Sequence, residues 1–305
     1  MIVLSLFDGM SCGQIALNQL GIKIEKYFAA EIKPHAIKCT QHNFPDTIQI
    51  GDVQKVSYKD GILTTANGCF DVGKIDLLIG GSPCQGFSRA GKELNFNDER
   101  SKLFFEYDRI LKEVNPAYFL LENEVMRKEY SDIITDILGV TPIMINSALV
   151  SAQERKRLYW TNIQGIKQPK DRNIYLYDIV NFKSEIPLKE NIIDEISKYT
   201  KRDFDVSIDK NGNIRPHRKD KRKSGISEIG TLRNPNCKSV TIIKSHAPKT
   251  YKSPFEIYEL NRNECEQLQN VPINYTIPVS EKQAKDLLGD GWTVEVIKHI
   301  FKNII

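Results

Sequence analysis

The chain has 305 residues, 40% of them hydrophobic and 27% charged, with a formal net charge of +4. Its length suggests about two domains, and its apolar fraction supports a real core, which excludes a wholly disordered chain. No run of ~18 apolar residues is available to span a membrane, and the opening MIVLSLFDGMSCG reaches Asp and Gly too early for a secretory signal. A soluble intracellular protein is expected. The cysteines at 12, 39, 69, 84, 237 and 265 form no C-x-x-C pair and read as free thiols, with no metal site.

Residues 1–165 alternate short apolar runs with helical stretches. The runs predict strands over Ile2–Phe7, Lys26–Glu31, Ile48–Gly51, Ile75–Gly80, Tyr118–Leu121, Ile143–Val150 and Leu158–Asn162. Between them, helices are predicted over Gly13–Leu20, Pro34–Asn43, Ser101–Val114 and Glu129–Leu138. Near-continuous apolar strands alternating with helices imply an α/β fold with a doubly wound, mostly parallel sheet. Such sheets bind ligands at the carboxyl ends of their strands. Residues 166–255 lose this rhythm, and Gly, Pro, Asn and Lys punctuate short segments, predicting a small, irregular or β-rich unit. The tail from Thr293 to Ile305 returns to helical spacing.

Charge is unevenly distributed. Residues 166–255 carry 20 Lys and Arg against 11 Asp and Glu, a balance of +9, and the rest of the chain has a balance of −5. Arg215, Arg218, Lys219, Lys221, Arg222 and Lys223 are opposed locally only by Asp220. Such a run can be an ordinary solvated loop, but a basic middle in an acidic remainder fits a surface that faces phosphates.

The first predicted strand runs into Phe7-Asp8-Gly9-Met10-Ser11-Cys12-Gly13 and opens a helix. Its glycines let backbone approach a ligand at a helix N-terminus. Three residues separate them, so the pattern is not G-x-G-x-x-G and argues against a dinucleotide. Glu31 ends the second strand, where an acid can meet a ribose hydroxyl pair, and Asp52 ends the third, where it could take an exocyclic amine. Each acid alone could be an ordinary cap. Together they point to a nucleoside-bearing cofactor without a required pyrophosphate, and S-adenosylmethionine fits.

The fourth strand leads into Gly80-Gly81-Ser82-Pro83-Cys84-Gln85-Gly86-Phe87-Ser88. Most free cysteines are small buried hydrophobes, but Cys84 follows the carboxyl end of a central strand and reads as a nucleophile. Glu122 follows Phe119-Leu120-Leu121, so partial desolvation should raise its pKa toward useful acid chemistry. Gln153, Arg155 and Arg157 alternate, which puts them on one face of an extended segment; an exposed basic edge is the plainer alternative.

In order, FDGMSCG, Glu31, Asp52, GGSPCQGFS, Glu122-Asn123, Gln153-Glu154-Arg155-Lys156-Arg157, Thr231-Leu232, LNRNECEQLQNVP and Gly291-Trp292-Thr293-Val294 resemble the cytosine-5 DNA methyltransferase family over nearly the whole chain. The FDG loop, Leu103-Phe104-Phe105-Glu106, VSAQERKRLYW and LLGDGWTVEVIKHIF look like the animal de novo branch. Ser11 departs from a glycine common in bacterial members, Glu124 from the usual Val, and Trp292 from the usual Asn.

The resemblance implies a Rossmann-like methyltransferase that acts on a cytosine flipped out of double-stranded DNA. Cys84 would add to C6, Glu122 would protonate N3, and Arg155 and Arg157 would hold the base oxygen and nearby backbone. Phe7, Asp8, Gly9, Ser11, Glu31, Ile32, Asp52, Val53, Leu103 and Trp292 would bind S-adenosylmethionine, Trp292 by stacking. Gln85, Ser88, Gln153, Arg215, Arg218, Lys219, Arg222 and Thr231 would contact DNA. Residues 1–165 would form the catalytic domain, completed by a C-terminal helix over 276–305, with a target-recognition domain over 166–275. A cytoplasmic protein of prokaryotic or phage origin is expected, or a nuclear one if eukaryotic. A transfer-RNA cytosine-5 methyltransferase of the same fold and a non-catalytic DNA-binding homologue are the alternatives.

Overall fold

A computed structural model describes residues 1–82, 99–185, 187–200, 204–218, 231–243, 246–253 and 255–304. Its first 161 residues are organised around one seven-stranded sheet. In chain order they form β1 (Ile2–Leu6), α1 (Cys12–Gln19), β2 (Lys26–Ala30), α2 (Pro34–Asn43) and β3 (Ile48–Gln49). A small antiparallel sheet follows, made of β4 (Ser57–Lys59), β5 (Ile62–Thr65) and β6 (Gly68–Asp71). Then come β7 (Leu77–Gly80), α3 (Glu99–Val114), β8 (Tyr118–Glu124), α4 (Lys128–Leu138), β9 (Ile143–Asn146) and β10 (Lys156–Thr161). The main sheet has the order β3-β2-β1-β7-β8-β10-β9, parallel except for β10, which runs antiparallel to both of its neighbours.

Both faces of this sheet are buried, as the unbroken apolar strands require. Successive residues point to opposite sides, and the core divides accordingly. Val3, Leu77, Ile79 and Leu120 pack on one face with Ile15 and Leu17 of α1, whereas Leu4, Leu78 and Leu121 pack on the other with Phe104, Tyr107 and Ile110 of α3.

Beyond the main sheet lie α5 (Leu176–Val180), α6 (Lys189–Thr200), β11 (Phe204–Ile208), β12 (Ile214–Arg218), β13 (Leu232–Arg233), β14 (Lys249–Lys252) and β15 (Glu256–Glu259). The five strands form a second sheet in chain order, and Ile192 and Ile196 of α6 pack with its Val206, Ile214, Leu232 and Tyr251 into a separate core. The chain then returns through α7 (Arg262–Leu268), α8 (Glu281–Asp290) and α9 (Val294–Phe301). Cys265 and Leu268 of α7 join the main core, so that core extends into the segment assigned from sequence to the second domain. Val294, Val296, Ile297, Ile300 and Phe301 of α9 are buried there too. At ~1.5–3 kcal/mol per fully buried large apolar side chain, α9 is integral to the main core.

Three expectations are corrected, and one small sheet is new. The strand expected over Ile143–Val150 stops at Asn146, whose side chain accepts a hydrogen bond from the Ala148 amide and starts a 3-10 turn. The single helix expected over 276–305 is two helices, broken at Gly291–Thr293. The middle of the chain contains α6, whose Ile192 and Ile196 lie one turn apart. The sheet β4–β6 was not anticipated, although Asp60-Gly61 and Asn67-Gly68 are hairpin signals; Asp60 and Gly61 both have positive φ, 50° and 85°.

Candidate active site

Strand register brings the functional residues together. Leu6 of β1 lies beside Ala30 of β2 and Gly80 of β7, and Gly80 lies beside Leu121 of β8. The next residues of each strand, Phe7-Asp8, Glu31, Gly81-Ser82 and Glu122, therefore emerge along one edge. They line a cavity of about 370 Å³ with Gly9, Ile32, Asp52, Val53, Leu103, Arg155, Arg157 and Trp292. That volume lies within the ~300–1,000 Å³ range of small-molecule sites.

The loop after β1 is strained into shape. Phe7, Gly9 and Ser11 have φ of 57°, 60° and 59°, a region that non-glycine residues rarely occupy. Hydrogen bonds hold it. Ser11 Oγ donates to Asp8 Oδ2, and Tyr27 Oη donates to Asp8 Oδ1 at 2.8 Å. Burial pushes the Asp8 carboxyl up to about 6, against the lowering effect of these donors. Ser11 does not line the cavity; it is fully buried and braces Asp8 from beneath.

Glu31 is held by three backbone amides. Gly9 donates to Oε2 at 2.8 Å, while Ile32 and Lys33 donate to Oε1 at 2.8 and 2.9 Å. Asp52 caps the next turn by accepting from the Gln54 amide at 3.0 Å. Two fixed acceptors at successive strand ends, apolar surfaces from Phe7, Ile32, Val53 and Leu103, and glycine backbone at the first loop fit a nucleoside with an attached charged chain.

Glu122 sits at the junction of the cavity with β10. Trp292 Nε1 donates to its Oε2 at 2.9 Å, and Arg157 Nε pairs with its Oε1 at 3.0 Å. Burial pushes the Glu122 carboxyl above its ordinary range, opposed by the positive charges of Arg157 and Arg155. Gly81 leaves room here: a β-carbon at this position would lie 3.1 Å from both Glu122 Oε2 and Trp292 Nε1, tighter than an ordinary contact. Trp292 was expected to stack on the cofactor; its indole also holds this carboxylate, a role that its position in the sequence did not signal. Glu124, on the exposed end of β8, pairs with Arg157 Nη2 at 3.4 Å.

Arg155 and Arg157 part company. Arg157 meets the acid, whereas Arg155 is only 3% exposed and donates through Nη2 to the carbonyls of Gly289 and Gly291 at 2.9 and 3.0 Å. Its Nη1 reaches the Ile242 carbonyl at 3.4 Å, and burial lowers its pKa to about 10. Arg155 thus ties main-chain segments together while lining the cavity beside Glu122 and Arg157. Gln153 is likewise fully buried, accepting from the Ile242 amide at 3.4 Å. β10 starts at Lys156; Arg155 and Arg157 both line the cavity, and Gln153 does not.

Arg215 is exposed on β12 and Thr231 is half-buried before β13; neither lines the cavity. Cys84, Gln85, Ser88, Lys219 and Arg222 lie outside the described residues, as does the side chain of Arg218. Residues that the sequence did not single out include Lys33 and Asp290, which pair at 2.7 Å and line the cavity. Among the described residues there is no cluster suited to a metal ion and no helix long and apolar enough to cross a membrane.

A doubly wound sheet with two strand-end acids beside its first glycine loop, and a buried carboxyl at the next strand end, defines a methyltransferase of the Rossmann-like class. The family model for C-5 cytosine-specific DNA methylases matches residues 1–305, and the chain belongs to that family of DNA (cytosine-5) methyltransferases. It is 31% identical to the type II methyltransferase M1.ScrFI of Lactococcus lactis subsp. cremoris, covering 99% of this chain and 77% of that protein. Type II methyltransferase M.DsaV of Dactylococcopsis salina is 27% identical, with coverage of 99% and 85%. In fold, the chain is similar to the Dnmt2 methyltransferase of S. pombe, with a TM-score of 0.65, 19% identity and coverage of 100% and 99%.

Proposed function

We propose that the protein methylates C5 of a cytosine flipped from duplex DNA, using S-adenosylmethionine and a transient covalent bond from Cys84. The observation that carries this reading is the buried Glu122 carboxyl, held on both oxygens at the rim of a cavity fitted to a nucleoside. Ser82, two residues before Cys84, lines the same cavity.

S-adenosylmethionine, when bound, supplies the methyl group. Glu31 and Asp52 would hold its ribose and adenine edges, with Phe7, Ile32, Val53 and Leu103 as apolar walls. The Cys84 thiolate would add to C6 of the cytosine while Glu122 delivers a proton to N3. This converts an inert aromatic carbon into an enamine-like nucleophile at C5. After transfer, loss of the C5 proton and expulsion of Cys84 restore aromaticity. Arg157 would keep Glu122 oriented and add positive charge near the base.

The basic segment around Arg215–Lys223 and Thr231 would face phosphates from a target-recognition domain. The likeness to two relatives named type II methyltransferases supports a restriction–modification setting.

Covalent trapping tests the reading. With S-adenosylmethionine and a duplex carrying 5-fluorocytosine, the protein should form a stable adduct, because fluorine cannot leave as a proton does. Cys84→Ser should abolish the adduct and retain DNA binding. An adduct mapped to another cysteine refutes the assignment.

A further inference from the structure

Trp292 occupies the break between α8 and α9, and its surroundings fix it from both sides. Arg155 binds the carbonyls of Gly289 and Gly291 just before it. Just after it, Thr293 Oγ1 donates to Gln269 Oε1 at 2.8 Å and the Val294 amide donates to the Gln269 carbonyl at 3.0 Å. Gly291 has no room for a side chain, since a β-carbon would lie 2.8 Å from the Met10 methyl group and 2.9 Å from the Leu287 carbonyl. The indole, 8% exposed, is therefore held on rigid backbone.

That rigidity bears on how Glu122 can present a proton. Oε1 faces the guanidinium of Arg157, whose charge opposes protonation there. The proton belongs on Oε2, which has two lone-pair directions. The indole N–H occupies one of them at 2.9 Å, and Gly81, which carries no side chain, leaves room for the pair. One direction is left. We propose that Trp292 is a positioning residue whose indole N–H fixes Oε2 of Glu122 and so sets the direction in which this carboxyl presents its proton to the base.

This inference rests on the reading of Glu122 as the acid and adds a role distinct from that of a cofactor wall. An aromatic ring that only lined the cavity would affect donor binding, and its effect would not depend on what stands at position 122. A donor acting through the carboxyl would affect turnover, and its effect would vanish with the carboxyl.

The experiment is a double-mutant cycle with Trp292→Phe, Glu122→Gln and the pair, measured as methyl transfer from radiolabelled S-adenosylmethionine to mixed-sequence duplex DNA. Trp292→Phe keeps a ring and loses the donor. Its kcat should fall about 10- to 100-fold, the equivalent of one hydrogen bond to a charged group, while KM for S-adenosylmethionine changes less than about threefold, as expected when uniform binding is retained. Losing a donor to the carboxylate raises the acid's pKa, so the alkaline limb of kcat against pH should move upward. In the Glu122→Gln background, Trp292→Phe should have little further effect.

Multiplicative losses, or a change confined to KM with an unmoved pH limb, would overturn the proposal and leave Trp292 as a cavity wall. Wild-type turnover in Glu122→Gln would instead refute the acid assignment itself. Trp292→His, which retains a ring donor, should recover part of kcat. It also serves if the Phe variant melts early, because a His variant that folds and shows no dependence on residue 122 overturns the proposal equally.

Discussion

Replacing Arg155 with Met should destabilise the protein without leaving a special catalytic lesion. The side chain is 3% exposed and makes two good hydrogen bonds, to the carbonyls of Gly289 and Gly291 at 2.9 and 3.0 Å, with a longer one to Ile242. Hydrogen bonds to charged groups are worth roughly 1.5–3 kcal/mol each. Relief from burying a guanidinium offsets part of that sum, so a net loss of about 3 kcal/mol is expected. For a chain of this size the melting temperature should drop by roughly 5 °C. Thermal melts followed by circular dichroism measure the drop, and methyl transfer assayed well below the new melting point measures what remains of catalysis. Arg155→Lys should recover little stability, because one ammonium cannot reproduce the planar fork that reaches both carbonyls. A variant that melts like the wild type yet loses turnover by orders of magnitude would refute this reasoning and return Arg155 to the base.

Glu122→Gln keeps the shape but cannot donate the carboxyl proton, so turnover should fall roughly 10²–10⁴-fold; binding of S-adenosylmethionine by calorimetry should barely change. The Asp8 carboxyl is raised to about 6 by burial, so between pH 4 and 6 the unfolded chain ionises while the folded chain keeps its proton. Stability should therefore decline as pH rises through that window and level off above it. Asp8→Asn should flatten the decline in melts taken from pH 4.5 to 7; an unchanged profile would show that Asp8 does not titrate there. Replacing Arg218, Lys219 and Arg222 with Ala should weaken binding to all duplexes alike and reduce the slope of log K against log salt by about 0.9 for each phosphate left without its cation. An altered sequence preference at constant slope would make the segment a reader of bases.

The seven-stranded core was largely legible because its strands are buried on both faces and leave near-continuous apolar runs. Glu31, Asp52 and Glu122 were identifiable for a related reason: in a parallel sheet the strand ends that bear ligands lie together, so a polar residue just past an apolar run is already located in space. The short elements outside that core were harder to read. The turn signals at Asp60-Gly61 and Asn67-Gly68 and the apolar spacing of Ile192 and Ile196 were present, but short elements with half-exposed faces give weak periodicity. Arg155 shares the cavity lining with Arg157, as the alternation suggested, but its bonds to the distant Gly289 and Gly291 carbonyls carry no local signal.

By itself the sequence determined the kind of sheet, the order of its strand-end groups and the chemistry those groups could support, because these follow from local patterning and the fixed direction of parallel strands. Tertiary structure alone decided which side chain each group meets. Glu122 and Trp292 are 170 residues apart and Arg155 and Gly291 are 136 apart, yet both pairs lie within hydrogen-bond distance. No local propensity encodes such a pairing. It arises when α8 and α9 bury their apolar faces against the first half of the chain and carry the break between them into the cavity.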